Sequence, residues 1–539
     1  MRATSTAPRP STAKDPHPLL ERLAREGEVA ALLLAGVALL VRIAVGFHPY
    51  SGAGSPPMYG DYEAQRHWME VTVHLPPSQW YWHDLQYWGL DYPPLTAYQS
   101  WLHGKMLHAV DPRVVALGES RGHESEDSKR LMRWTVLLSD AATFLPAAFL
   151  CRRALFLHRG VPPAVALWAF AAVLLQPPLV LIDHGHFQYN CISLGFAIAA
   201  AAAITLGRDL VGAALFCLSL NHKQMSLYYA PAFFAHLLGK SLELPTPLAT
   251  LANVAKLGAV VVATFALCWL PFLGSVESAG QVLHRLFPFA RGLYEDHVAN
   301  FWCATSLVVK WKRLFTNSEL TKMCLGTTLS ACLPSMVHQM VSPSRDGLLM
   351  GMLNSSLAFF LFSFQVHEKS LLLAVVPATL LAVREPLIAR WLPPVATFSM
   401  YPLLKRDGLS VAYVGCLLLW APVALCGPAP PATPRDKPMG RWARGVEAVG
   451  AYQWRIAGLS AAGGLCIHLA ELVVPPPTHL PHLFPAVFTF YAFIHLFTVR
   501  ALTRATGSAP APESKLPMWL YTNARQWALP EEDEKEKRQ

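Results

Sequence analysis

The sequence predicts an all-α protein that crosses a membrane many times. Of its 539 residues 53% are hydrophobic and only 15% are charged, whereas a soluble domain carries about 25% charged residues. Apolar runs recur along the whole chain, many long enough to cross a bilayer, because about 20 helical residues at 1.5 Å each match the hydrocarbon core. The charged residues gather mainly between those runs.

Taken in order, residues 1–27 are polar and rich in Pro, Ser and Thr, and read as a disordered tail. The run 28–47 is the first span. It lacks a small-residue cleavage site and so reads as a retained anchor. Arg2, Arg9, Lys14, Arg22 and Arg25 precede it and put the N-terminus in the cytosol. The loop 48–130 is then extracytoplasmic. Within it, Tyr92 to Val110 mixes Trp101, Leu102, Met106 and Leu107 with His103, Lys105 and His108, which suits an interfacial helix. Further spans are drawn at about 131–151, 164–182, 190–206, 209–220, 224–240, 254–274, 299–310, 324–341, 346–364, 369–383, 392–404, 409–427, 456–474 and 481–500. Short segments merge or split in such a reading, so about 12 to 14 transmembrane helices are expected in a domain running from 28 to 505. Pro428 to Arg444 reads as a loop, and residues 506–539 as a cytosolic tail ending in a charged run.

The net charge of +9 does not imply nucleic acid, because the basic residues sit at span ends and in tails rather than in an aromatic-interleaved patch. Ten cysteines are scattered through apolar runs without C-x-x-C spacing, so they read as small core residues.

Chemistry is concentrated in the polar blocks between spans, since a carboxylate beside lipid persists where water, a partner or a substrate offsets its desolvation. The first block is Gly60-Asp61-Tyr62-Glu63-Ala64-Gln65-Arg66-His67-Trp68. Asp61 can be read as a helix cap or, with Glu63, Arg66, His67 and Trp68, as part of a site for a polar substrate. Trp88 to Tyr98 is a second acidic and aromatic block in the same loop, where Asp91-Tyr92-Pro93-Pro94 is either substrate-facing or a rigid turn. Asp183-His184-Gly185-His186-Phe187-Gln188 separates two apolar runs; its histidines are too few for a tetrahedral metal site, and no metal is expected. His222 and Lys223 lie at another junction, and His367, Glu368 and Lys369 open a later run. Lys223, Lys369 and Arg291 either snorkel at span ends or hold a phosphate whose lipid tail lies between helices. The aromatic stretch from Arg285 to Trp302 is likewise either a membrane belt or a lining for sugar and lipid.

Together, Gly60–Glu70, Leu90–Tyr98, His184–Asn190, Leu220–Met225 and Val366–Ser370 resemble, in order, the endoplasmic-reticulum glucosyltransferases that use dolichyl phosphate glucose. The first block is more similar to the branch that adds the first glucose to a nine-mannose lipid-linked oligosaccharide than to the branch that adds the second. The resemblance runs from about Tyr59 to Lys369 and is thin beyond Arg384. It implies a GT-C type fold with lumenal amphipathic helices, an endoplasmic-reticulum location and a lumenal active site. It also implies a lipid-linked oligosaccharide as acceptor and an inverting transfer that forms an α-1,3 bond. Such a displacement needs one general base, assigned to Asp61 and worth about 10²- to 10⁴-fold. Glu63, Arg66, His67, Trp68, Asp91, Tyr92, His186, Gln188, His222, Lys223, Arg291, His367, Glu368 and Lys369 are expected to bind substrate. The donor lipid is a substrate, and no cofactor is expected. A transporter or flippase shares the spans and buried polar groups but not the two acidic-aromatic blocks in one loop; an inactive subunit of a glycosylation complex is a further alternative.

Overall fold

The computed structural model describes residues 27–287, 293–294, 297–428 and 441–507. Expectations for the tail before residue 27, Arg291, most of the 428–444 loop and the tail after residue 507 lie outside these residues. Among the described residues all regular structure is helical, and an isolated bridge joins Tyr294 to Val366. The all-α multispan class expected from the sequence holds.

Six helical segments are long and apolar enough to cross a membrane: Glu28–Gly46, Glu126–Arg159, Pro163–Phe187, Pro247–Phe272, Arg455–Val473 and Leu483–Thr503. Asn190–Thr205, Asp209–His222 and Ser410–Cys426 are apolar but shorter. Several expected boundaries change. The 299–310 span is replaced by a five-residue helix, Phe301–Thr305, and a turn. The Asn300 side chain caps that helix and Trp302 donates its indole N–H to Phe362 O at 2.8 Å, so local polar bonds tie this segment down. The 392–404 span divides near Met400 into Pro386–Ser399 and Tyr401–Arg406. The 369–383 span is a short helix, Leu372–Leu380, entirely buried behind a 3₁₀ turn over Glu368–Leu371.

The first three long segments are joined by a buried ion pair. Arg42 and Asp140 are fully enclosed; the guanidinium donates to Asp140 and, at 3.0 Å, to Leu174 O, and His184 Nε2 lies 2.9 Å from the same carboxylate. Charges survive in such a place only when paired and hydrogen-bonded. Outside these segments, Gly60–His74 and Pro94–Val110 pack together. Pro94–Val110 buries Thr96, Ala97, Ser100, His103 and Leu107 and exposes Trp101, Leu102 and Met106, the two-faced pattern of a helix lying along an interface.

Candidate active site

Asp61 is positioned by the entry to the helix Gly60–His74. The chain doubles back so tightly that a Cβ on Gly52, whose φ is +78°, would lie 2.1 Å from the carbonyl of Tyr59. Residue 52 must therefore be glycine. Tyr59 is the N-cap residue and its side chain makes no capping bond. Asp61 is not the cap: it sits in the first turn, and its backbone N–H points to Ser51 Oγ at 3.3 Å. Its carboxylate is left for other partners.

Those partners come from two distant segments. His186 Nε2 is 3.0 Å from Asp61 Oδ2, and the Gln188 amide donates to the same oxygen. Lys369 Nζ donates to it at 2.6 Å and lies 3.2 Å from His186 Nε2. On its far side His186 places Nδ1 2.5 Å from Asp407 Oδ2. The Asp61 and Lys369 side chains retain 24% and 19% exposure, while His186 and Asp407 retain only 2% and 4%. The result is an open carboxylate and ammonium backed by a buried imidazole and second carboxylate. Burial works against the charge on Asp61, but Lys369 and His186 outweigh it and hold the carboxyl well below the usual range. Burial also works against the Lys369 charge and is outweighed by Asp61 and Glu368, so its pKa is raised. Both groups are charged at neutral pH.

Local structure explains the approach of His186. The long apolar helix widens into a π-helical turn over Leu181–Phe187, and Phe187 takes φ +91°, a rare conformation for a large side chain. Arg133 donates to Gly185 O at 2.7 Å and Ser51 N–H to His186 O at 3.0 Å, pinning the backbone on both sides. Beyond Gln188, Lys223 Nζ donates to Gln188 Oε1 at 3.2 Å and Asn190 Oδ1 at 2.7 Å, and it lies 4.9 Å from the centre of the Tyr92 ring. Burial, with Lys369 adding to it, pushes the Lys223 pKa down to about 8.

Other residues expected to bind substrate are placed differently. Glu63 follows Asp61 by two positions, about 200° around the helix, and is enclosed. It accepts from Arg66 at 2.6 and 2.7 Å, from Tyr87 at 2.9 Å and from Gly122 N at 3.1 Å. Arg66 also bonds Glu70 at 2.8 Å and Ser120, and His67 Nδ1 lies 3.3 Å from Glu70. Burial alone would raise the Glu70 pKa, yet His67, Arg66 and the Gly118 N–H bring it down to about 2. Glu63, Arg66 and His67 thus form a closed network behind the Asp61 face. Trp68 is buried too, with its indole N–H on Trp88 O at 2.9 Å and its ring 4.9 Å from Tyr92. His222 is buried beside Lys223, and its carbonyl accepts from Thr96. Asp91 is partly open.

His367 precedes the 3₁₀ turn that carries Glu368 and Lys369. Glu368 borders a cavity of about 220 Å³ shared with His297, Arg406 and His482, and its Oε2 is buried without a hydrogen bond. Asp407 was missed by sequence reasoning. An Asp-Gly pair at the junction of the apolar runs 392–404 and 409–427 was the available signal.

Comparison with known proteins shows the family. Residues 38–502 match the model of the ALG6, ALG8 glycosyltransferase family. The chain is 53% identical over 401 residues to a probable dolichyl pyrophosphate Man9GlcNAc2 alpha-1,3-glucosyltransferase of Arabidopsis thaliana, covering 73% of this chain and 74% of that one. It is 43% identical to the probable enzyme of that name from Drosophila melanogaster, with 86% and 96% covered. For the enzyme from Saccharomyces cerevisiae the figures are 46% identity, 71% and 72%. Among solved structures, ArnT from Cupriavidus metallidurans bound to undecaprenyl phosphate aligns with a TM-score of 0.37 at 14% identity, covering 88% of this chain and 77% of that chain.

Proposed function

Because the chain belongs to the ALG6, ALG8 glycosyltransferase family, we propose that it transfers the first glucose from dolichyl phosphate glucose to the dolichyl-pyrophosphate-linked Man9GlcNAc2 oligosaccharide, forming an α-1,3 bond with inversion. The names of its relatives support the acceptor and the linkage. The observation that carries the chemistry is Asp61, an ionised and partly open carboxylate held by one ammonium and one imidazole. A single inverting displacement needs one base. The acceptor hydroxyl gives its proton to Asp61 while its oxygen closes on the anomeric carbon, and the carbon–oxygen bond to phosphate opens with its electron pair on the phosphate.

A phosphate leaving group needs no proton, but its growing charge needs donors. Lys369 stands beside the base, and Arg406, His297 and His482 border the adjoining cavity. These are our candidates for the donor end, with His367 two positions before Lys369. No obligatory metal is required when side-chain cations meet the phosphate. A donor phosphate that reaches Lys369 competes with Asp61 for it, so occupancy by donor strengthens Asp61 as a proton acceptor. Tyr92, under the Lys223 ammonium, and Asp91 stand on the Gln188 side and are candidates for acceptor contacts. Glu63, Arg66, His67 and Trp68 support this surface from within.

We read the helical body and its extramembrane helices as a GT-C type layout in the endoplasmic-reticulum membrane, with loop 48–130 lumenal and both termini cytosolic. Purified protein is to be given dolichyl phosphate glucose with either the nine-mannose acceptor or its monoglucosylated form. Transfer to the first acceptor, persisting in a metal chelator, is expected. Transfer to the monoglucosylated acceptor alone assigns the second-glucose reaction instead, and transfer to neither overturns the enzymatic reading.

A further inference from the structure

A narrow gap lies where three helices meet. Gln65 from Gly60–His74, Thr96 and Gln99 from Pro94–Val110, and His222 from Asp209–His222 stand on its walls. Four polar atoms of these side chains are buried without a hydrogen bond: Gln65 Oε1, Gln99 Oε1 and both ring nitrogens of His222. Gln65 is only 2% exposed and His222 only 1%. The Gln99 amide nitrogen already meets His103 Nδ1 at 2.8 Å, which leaves its oxygen as the free end. As the walls stand, the gap has no room for a water molecule. Buried polar atoms without partners are costly, and that cost is relieved when the walls part and admit a partner. Tyr92 and Gln99 are the half-buried members of the lining, so the way out runs between them.

The free atoms select the kind of partner. Two amide oxygens only accept, and a neutral imidazole offers one N–H and one lone pair. The partner must therefore both donate and accept. An ionised phosphate or carboxylate has no proton for the amide oxygens, and a cation is repelled by the Lys223 ammonium on the same gap. A neutral polyhydroxy compound meets every demand, because each hydroxyl carries a proton and lone pairs.

Two links tie this gap to the reacting carboxylate. Gln65 follows Asp61 by four positions in the helix Gly60–His74, and residues so spaced share a face with their Cβ atoms about 5–6 Å apart. Gln188 lines the gap, donates to Asp61 and accepts from Lys223 Nζ at 3.2 Å. We propose that the gap is the subsite for the acceptor mannose. The sugar parts the mouth between Tyr92 and Gln99, its non-reacting hydroxyls bond Gln65, Gln99 and His222, and its reacting hydroxyl turns past Gln188 to Asp61. The inference rests on the glucosyl-transfer reading and adds the groups that hold the acceptor.

The test uses full-length protein in lipid. Gln65→Met and His222→Leu each remove unsatisfied polar atoms with little change of volume. Either variant is expected to lower kcat/KM for the lipid-linked acceptor by about tenfold, the scale of one hydrogen bond, with the donor KM at its wild-type value. The unfolding midpoint is expected at or above that of wild type, because removing an unpaired buried polar atom does not weaken the fold. Wild-type acceptor kinetics in both variants overturn the proposal, and so does a loss that raises the donor KM equally and follows a lowered midpoint. Nitrogen-15 spectra of histidine-labelled wild type supply a second readout, with the His222 signal identified by its loss in His222→Leu. Lipid-linked Man9GlcNAc2 alone, with no donor and hence no turnover, is expected to shift that signal, and dolichyl phosphate glucose alone is expected to leave it in place. A wild type that transfers glucose while its His222 signal ignores the acceptor overturns the subsite and leaves the transfer reading intact. A wild type whose signal moves with the acceptor but which transfers no glucose overturns the transfer reading and leaves the subsite.

Discussion

The Lys369 ammonium lies 2.6 Å from the Asp61 carboxylate although 308 positions of sequence separate them. Lys369 is thus doing two things at once: it lowers the pKa of the carboxylate and keeps its own ammonium partly exposed. The two roles can be separated by experiment.

Asp61→Asn keeps the shape of the side chain but removes the proton acceptor. Glucose transfer is expected to drop by at least about 10²- to 10⁴-fold, with the folded protein recovered in normal amount. Transfer rates measured on purified, monodisperse protein decide this. Turnover near wild type would remove Asp61 from the role of base.

Lys369→Ala is expected to raise the donor KM and slow transfer, because a cation is lost where negative charge grows. It also frees Asp61 from the neighbour that lowers its pKa. A depressed carboxylate remains ionised down to low pH, so in wild type the base form persists well into the acid range; without Lys369 the Asp61 pKa rises, and activity is expected to fall away at a higher pH than in wild type. Rate profiles from pH 4 to 8 check the direction. An unmoved acidic limb would separate Lys369 from the base.

Glu63 is expected to matter for folding more than for chemistry. Glu63→Gln removes the charge facing the buried Arg66, and breaking one side of such a pair costs about 3 kcal/mol. Thermal unfolding in detergent should show a lower midpoint, with a smaller loss of kcat per folded molecule than in Asp61→Asn. An unchanged midpoint with kcat abolished would return Glu63 to the reacting face.

Arg42 and Asp140 should behave as a unit. Arg42→Met alone strands a carboxylate among the helices and is expected to destabilise the protein by about 3–5 kcal/mol, while Arg42→Met with Asp140→Leu recovers much of that loss. Comparing unfolding midpoints of the single and double variants measures the coupling. Equal loss in both would show that the pair is not energetically linked.

The helical class and the Asp61, His186, Gln188 and Lys369 cluster were legible in the sequence, because each of those residues stands in a polar block that interrupts apolar sequence. Which neighbours of Asp61 share its face was not legible. Glu63, Arg66 and His67 carry the same kinds of group within six positions, and helix rotation and three-dimensional partners turn them inward. Asp407 escaped because one acidic residue beside a glycine looks like any turn until its carboxylate is found against His186. Span boundaries failed where hydropathy competes with local bonds, as at Asn300 and Trp302.

The four groups in line at the site arrive at very different times during synthesis: Asp61 early, His186 next, Lys369 much later and Asp407 last. At about 5–20 residues per second of translation, the early carboxylate waits many seconds for its ammonium and its imidazole waits longer for Asp407. A nascent chain stopped before Lys369 therefore holds a complete first loop whose carboxylate has its imidazole but not its ammonium.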